Sequence, residues 1–358
     1  MPYTTINKQT DYFNTNLWTG NGADNRAITG VGFQPDWVWI KNRDSGSMWH
    51  QLQDAVRGSG KNIYSNRTNA ESATTTALKS FDSDGFTIGT STGVNENGSD
   101  TVSWSWKAGN SNTSVSASGS GNGAYNACTH RANTTAGFSI VKYTGRNSEI
   151  SNGQHTRVTH GLGAKPHFII TKALSGTVNW IVQGKDSNDA NVHLNTDDAI
   201  SGSEYIGDNR LSTLGTTYFN AGNDNMVNEN GVEFISYVFT SIPGFSKFGT
   251  YTGNGNADGA FVYTGFKPAF FMTKRTDATG SWMMYDATRD PFNLTEKYLR
   301  ADLSDAEATG SNNRIDILSN GIKLKATGSF ENASGGTYIY MAFGQSLVGS
   351  NNTPCTAR

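Results

Sequence analysis

The chain has 358 residues, a formal net charge of −2, 16% charged residues, 11% aromatics, and 41 glycines against 7 prolines. The aromatics exclude a disordered chain, glycine without a three-residue period excludes collagen, and the composition is not that of a helical bundle. There is no basic stripe for nucleic acid and no apolar run near the roughly 20 residues of a membrane span, which leaves an all-β protein with many tight turns.

Residues 1–11 form an N-terminal segment with neither a positive head nor an apolar core, so no secretory signal is expected. A first β module is predicted over 12–108. It opens at Trp18-Thr19-Gly20, and Gly32-x-x-Pro35 then feeds the apolar strand Trp37-Val38-Trp39-Ile40. Lys41 follows six residues after the proline and is expected to turn the chain toward water; Trp49 follows fourteen after it. Phe81-Asp-Ser-Asp-Gly85-Phe86 reads as a hairpin, because Asp-Gly supplies the φ > 0 positions of tight turns. A turn at Gly98 precedes Val102-Ser-Trp-Ser-Trp106, whose alternation predicts one buried and one wet face.

Residues 109–136, rich in Ser, Gly and Asn, are expected to be a linker, flexible or ordered by a neighbouring chain. The second module, 137–240, repeats the first at the same offsets: Tyr143-Thr-Gly145, Gly163, Pro166, Lys172, Trp180, Gly231. After a short join at Ser241-Ile-Pro-Gly244, the third module, 241–345, repeats them again with Tyr251-Thr-Gly253, Gly265, Pro268, Lys274, Trp282 and Gly335. The tail, 346–358, looks loose. Three shared offsets in three places are the mark of an internal repeat, and short strands with Gly/Asn turns at this density predict three tandem β-sandwich or jelly-roll modules. Modules in series imply a rod- or lobe-like shape, with residues 1–11 or the linker available for attachment.

The chemistry-bearing residues form no catalytic constellation. Asp82-x-Asp84-Gly85 lacks the further oxygen ligands of a calcium loop. His130, His155, His160 and His167 do not recur at matching repeat positions, as ligands of a shared zinc site would. Asp36, Asp54, Asp286, Asp290 and Glu296 are the carboxylates available for glycoside chemistry. Only Asp36 falls in the repeat anchor, where the other modules have His167 and Ala269. No nucleophile elbow or phosphate loop is present, and Cys128 and Cys355 read as free thiols. The expectation is a non-enzyme without cofactor or metal. The repeated tryptophans read as core plugs, with sugar stacking as the functional counterpart. The unrepeated Trp104, Tyr64, Tyr125 and Tyr205 are the better candidates for ligand contact.

Several stretches are distinctive together: Thr-Gly-Asn-Gly at 19–22 and 252–255, Gly30-Val-Gly-Phe-Gln-Pro-Asp-Trp-Val-Trp-Ile-Lys-Asn-Arg43, Phe81 to Phe86, Asn133-Thr-Thr-Ala-Gly-Phe-Ser139, and Gly244-Phe-Ser-Lys-Phe-Gly-Thr-Tyr-Thr-Gly-Asn-Gly255. Over residues 12 to 344 the chain resembles a repeated module of virion proteins of marine and cyanobacterial tailed phages. The resemblance implies concanavalin A-like β-sandwiches in a tail- or fibre-associated virion protein, assembled in the host cytoplasm without a signal peptide. It implies as partners other virion proteins, further copies of the chain, and a host-surface polysaccharide. Neither nucleic-acid binding nor membrane insertion is expected. A capsid-decorating or head-fibre protein is the alternative of the same origin; a carbohydrate-binding module and a polysaccharide depolymerase are alternatives from other classes. The module carries no defined chemistry, so no catalytic or binding residue transfers.

Overall fold

The computed structural model describes residues 4–184, 191–200, 215–310, 312 and 314–345. It is an all-β protein of several antiparallel sheets, none of which closes into a barrel among the described residues. One strand order occurs three times. An opening strand (Phe13–Thr19, Phe138–Thr144, Ser246–Thr252) pairs with a closing strand (Asp100–Trp106, Glu233–Phe239, Thr337–Gly344). The closing strand pairs with an anchor strand (Trp37–Asn42, Phe168–Ala173, Pro268–Arg275), and that with a partner strand (Gln51–Asp54, Ile181–Gly184, Met283–Asp286). Register is conserved across the three: Trp37 faces Trp106, Phe168 faces Phe239, and Phe270 faces Phe343.

Alternation along the anchor strands splits their side chains between two layers. Trp37, Trp39, Phe168, Ile170, Phe270 and Met272 point into one shared core, together with Trp104, Trp106, Tyr237, Phe239, Met341 and Phe343 from the closing strands. Val38, Ile40, Ile169 and Phe271 point outward into three separate smaller cores. Each smaller core lies beneath an outer sheet: Arg26–Thr29, Gly85–Ile88 and Leu78–Asp82; Thr156–Thr159 and Tyr218–Ala221; Phe261–Tyr263, Gly321–Leu324 and Ile315–Leu318. The closing strands are therefore covered on both faces. Ser103 and Ser105 are buried, not wet, and their small size lets the outer layer approach.

The shared core makes the repeats a closed ring, where modules in series implied a rod- or lobe-like shape. Aromatic contacts link each pair of repeats: Trp37 stacks on Tyr237 at 4.1 Å, Phe239 packs on Phe248 at 5.4 Å, and Phe13 stacks on Phe343 at 4.9 Å. Backbone hydrogen bonds follow the same cycle. Glu71 N–H donates to Leu174 O, Ile200 N–H to Thr276 O, and Glu307 N–H to Arg43 O. A ring nitrogen at one register position closes each seam again: Trp180 Nε1 to Tyr64 O at 2.9 Å, Trp282 Nε1 to His193 O at 2.8 Å, and His50 Nε2 to Arg300 O at 3.0 Å. The His50 tautomer is set by Trp39 Nε1, which donates to its Nδ1.

The expected linker and the N-terminal segment are both part of the folded body. In the Ser/Gly/Asn-rich stretch 109–136, Thr113–Val115 pairs with Cys128–Asn133, and the latter pairs with the opening strand Phe138–Thr144. Its polar residues form an arm that covers a sheet edge, a common use of short polar strands. In the N-terminal segment, Ile6 enters the shared core and Gln9 is buried, with its Nε2 donating to Gly244 O. Residues 1–3 and the tail 346–358 lie outside the described residues.

The repeated glycines have two physical causes. Gly32, Gly163 and Gly265 hold φ of +87°, +67° and +84°, which a side chain strains to adopt. At Gly20, Gly145 and Gly253 the constraint is space: a Cβ would run into the backbone of Glu96, Glu229 and Ala333. Those contacts belong to one-turn helices (Thr92–Asn95, Asn225–Asn228, Ser329–Asn332), each of which ends in a buried asparagine. The asparagine pins the loop after the opening strand. Asn95 Oδ1 accepts from Asn21 N–H, Asn228 Oδ1 from Arg146 N–H, and Asn332 Oδ1 from Asn254 N–H.

Candidate functional site

The structure places most of the repeated residues in the scaffold. Pro35, Pro166 and Pro268 are buried at or just before the anchor strands. Lys41, Lys172 and Lys274 do not reach water. All three are fully buried, because the end of each anchor strand lies at a seam. Lys172 Nζ donates to Thr68 O and Val178 O, and Lys274 Nζ to Asp197 O, Asp198 O and Arg275 O, so both cross from one repeat to the previous one. Lys41 Nζ donates to Asn42 O and Ser45 O. Burial pulls all three ammonium groups down to about 8. Trp180 and Trp282 are fully buried core residues. Trp49 is half-buried. One extra residue before the partner strand puts His50 in the position of the other two tryptophans, and Trp49 instead packs under the Arg67 guanidinium, 4.2 Å from its ring centroid.

The carboxylates separate by role. Asp54 pairs with Arg57 three residues on, and Asp286 with Arg289, all four essentially excluded from solvent. Each pair receives a donor from the neighbouring repeat: Tyr237 Oη to Asp54 at 2.9 Å, and Trp104 Nε1 to Asp286 at 3.1 Å. The pairs continue to Glu71 and Glu307, and Glu307 also holds Arg43 of the first repeat. At the third seam the matching residue is Gly184, packed on Ile339. Asp54, Asp286 and Trp104 are thus seam residues. Asp290 accepts from the N–H groups of Glu296 and Lys297, and Glu296 lies 3.5 Å from Arg314. Asp84 caps the Gly30 and Gly32 N–H groups, which makes Asp82-x-Asp84-Gly85 a turn with its oxygens in use.

No group of three or more metal-ligating side chains occurs among the described residues. Burial pushes His130 below its ordinary value and His160 down to about 4, so both are neutral near pH 7. His167 Nδ1 lies 3.0 Å from Thr240 Oγ1, and the His155 backbone N–H donates to Asn122. Cys128 is a buried free thiol pushed up to about 11; Cys355 and Tyr205 lie outside the described residues. Tyr64 packs edge-on to Trp49, and Tyr125 and Tyr218 clasp the Arg157 guanidinium.

Two features break the threefold pattern at the surface. The first is apolar. Of the five exposed large hydrophobic side chains among the described residues, four (Phe261, Tyr263, Phe292 and Leu294) belong to the third repeat and one, Leu17, to the first; Phe292 is 77% exposed. Phe261 and Tyr263 share the solvent face of one outer strand, and Lys247 Nζ sits 4.7 Å from the Tyr263 ring centroid. Residues 292–294 flank the far edge of the same sheet, where Asn293 bonds Ile317 through both side-chain atoms. The matching outer strands carry Ala27 and Thr29, or Arg157 and Thr159, so the repeat itself hid this face from sequence reasoning.

The second is a polar cleft of about 500 Å³ between the anchor turn of the first repeat and the arm, lined by Gly32, Phe33, Gln34, Asp36, Ser83, Lys107, Asn110 and Arg131. Asp36 is buried, and its carboxyl is pushed up to about 6 by burial, opposed by Arg131, the Ala108 N–H and Lys107.

The chain belongs to a family described as a domain of unknown function, DUF7483, whose model matches residues 8–346. No curated protein and no solved structure gives a match.

Proposed function

We propose that the chain is a structural protein of a phage virion, tail- or fibre-associated, that presents a rigid three-repeat head to a host-surface glycan. In this reading the repeats are three tandem concanavalin A-like β-sandwiches fused at their inner faces. The observation that carries the binding role is the exposed aromatic face of the third repeat. Phe261 and Tyr263 lie side by side on a rigid strand, with a cation over the tyrosine and Phe292 at the sheet edge. Exposed aromatics gathered on one face mark an interaction surface, and a flat aromatic with a polar tip suits a ligand that is apolar on one side and wet on the other. The virion origin is supported by the resemblance of the anchor and Thr-Gly-Asn-Gly motifs. Several copies on one particle would convert weak single contacts into avidity.

The tests are mass spectrometry of purified particles and retention of the protein on host polysaccharide. The expected result is a particle-borne chain that is retained without shortening the polysaccharide, with retention lost in the Phe261→Ala, Tyr263→Ala double variant. Particles without the chain overturn the virion reading, shortened polysaccharide makes the protein a depolymerase, and retention unchanged in the double variant removes the aromatic face.

A further inference from the structure

We propose that the cleft between the first repeat and the arm binds an anionic saccharide. The proposal rests on the glycan reading above and names the class of ligand at a second, separate site. The scaffold is built three times, and departures from a consistent pattern concentrate at functional sites. Here the departure is double. Asp36 stands where the other repeats have His167 and Ala269, and the arm that brings Arg131 and Asn110 to it occurs once in the chain.

The floor is held rigidly. Asp36 N–H donates to Trp106 O, its carbonyl accepts from Ala55 N–H, and its Oδ2 accepts from Ala108 N–H at 2.7 Å. On the other wall, Asn133 Nδ2 donates to Ala108 O. Such preorganisation lowers the ordering cost of binding. Arg131 Nε lies 2.8 Å from Asp36 Oδ1, so the pair anchors one wall of the cleft to the other.

The lining chemistry selects the ligand. Lys107 and Arg131 against Asp36 leave one positive charge in excess, which matches a single carboxylate. The exposed side chains of Gln34, Asn110 and Ser83 supply amide and hydroxyl groups in the pattern that hydroxyl-rich rings require. The Gly30 and Gly32 N–H groups are already occupied by Asp84, so they offer no cradle for a phosphate. The volume lies within the ordinary range of small-molecule sites, about 300–1,000 Å³.

The test is titration of the full chain with tri-galacturonate, its methyl ester, a neutral galactose trisaccharide and inorganic phosphate, followed by amide chemical shifts and calorimetry. Tri-galacturonate is expected to bind at least tenfold more tightly than the other three, with shifts centred on residues 32–36, 107–110 and 131. Lys107→Gln and Asn110→Ala lie at the rim and leave the core intact; each is expected to weaken binding by roughly tenfold while the melting temperature stays unchanged. Equal binding of the methyl ester or of phosphate overturns the proposal, as does wild-type affinity in both variants. A chain found on particles and retained by host polysaccharide, yet indifferent to tri-galacturonate, loses the cleft and keeps the broader reading. Tri-galacturonate binding by a chain missing from particles does the reverse.

Discussion

At the scale of single residues, the ring is held by polar groups that sequence reading places in water. The lysine ending each anchor strand reads as a return to solvent, and only ring closure puts it at a seam among carbonyl oxygens. Glu331 is a similar case: it takes the place that Val94 and Val227 hold in the other one-turn helices, and it accepts from Tyr285 Oη at 3.0 Å. Burial pushes its carboxyl up to about 8 from an ordinary 4.5. A carboxyl that stays protonated when folded favours the folded state at low pH, and that favour is lost as pH rises through the folded value. Its contribution therefore falls between about pH 4.5 and 8. The neutral histidines act oppositely over the lower part of this window and the lysines act above it, so the comparison must be with a variant that changes one group. Glu331→Gln keeps an acceptor for Tyr285. The melting-temperature difference, variant minus wild type, should grow steadily from pH 5 to pH 8; a difference independent of pH would show that Glu331 is ionised in the fold.

At the scale of elements, the sequence was legible wherever local geometry makes its own demand. The anchor strands, the hairpin at Asp84-Gly85 and the positive-φ glycines were all visible as apolar runs and turn residues. The buried asparagines are equally visible as a repeat: Val94-Asn-Glu-Asn-Gly98 and Val227-Asn-Glu-Asn-Gly231 are identical, and Glu331-Asn-Ala-Ser-Gly335 keeps the asparagine and glycine. Asn228 Nδ2 donates to Ala221 O and Gly222 O while its Oδ1 accepts from Arg146 N–H. Asn228→Ala leaves those buried backbone groups unpaired, at about 1–3 kcal/mol for each unsatisfied group. Urea denaturation should register a loss of at least 2 kcal/mol, about twice the low end of that range; a loss under half a kcal/mol would mean that water replaces the side chain. The arm was not legible, because serine and glycine report flexibility in isolation and nothing local says that a sheet edge waits to be covered. The exposed aromatic face was hidden for the opposite reason. Phe261 and Tyr263 read as ordinary strand residues, and only their exposure, at positions where the other repeats carry Ala27 and Thr29 or Arg157 and Thr159, marks them as different.

At the scale of the whole molecule, the decisive fact is that each inner sheet is covered by the other two. Trp37 has Tyr237 against it, Phe248 has Phe239, and Phe343 has Phe13, so no repeat owns a complete inner core. A repeat released from the ring would expose its inward aromatic face, unlike a linear array in which each unit adds its own stability to a nearest-neighbour term. The ring should therefore unfold as one cooperative unit. Calorimetry of residues 1–358 should give a single transition with equal calorimetric and van't Hoff enthalpies, and the isolated second repeat, residues 137–240, should fail to fold. Two or three resolved transitions would mean that the inner faces contribute little. The seams refine the test. Truncating one partner of a buried, hydrogen-bonded ion pair costs about 3–5 kcal/mol, because the remaining charge stays buried. Asp54→Ala takes from the buried Arg57 its fully buried carboxylate partner, leaving the half-buried Glu71, and releases Tyr237 of the second repeat. In a ring it must lower the one global transition, whichever repeat a probe reports. Fluorescence of the inner tryptophans and far-ultraviolet dichroism should then shift together, whereas modules in series would let the dichroism of the third repeat persist after the first had melted.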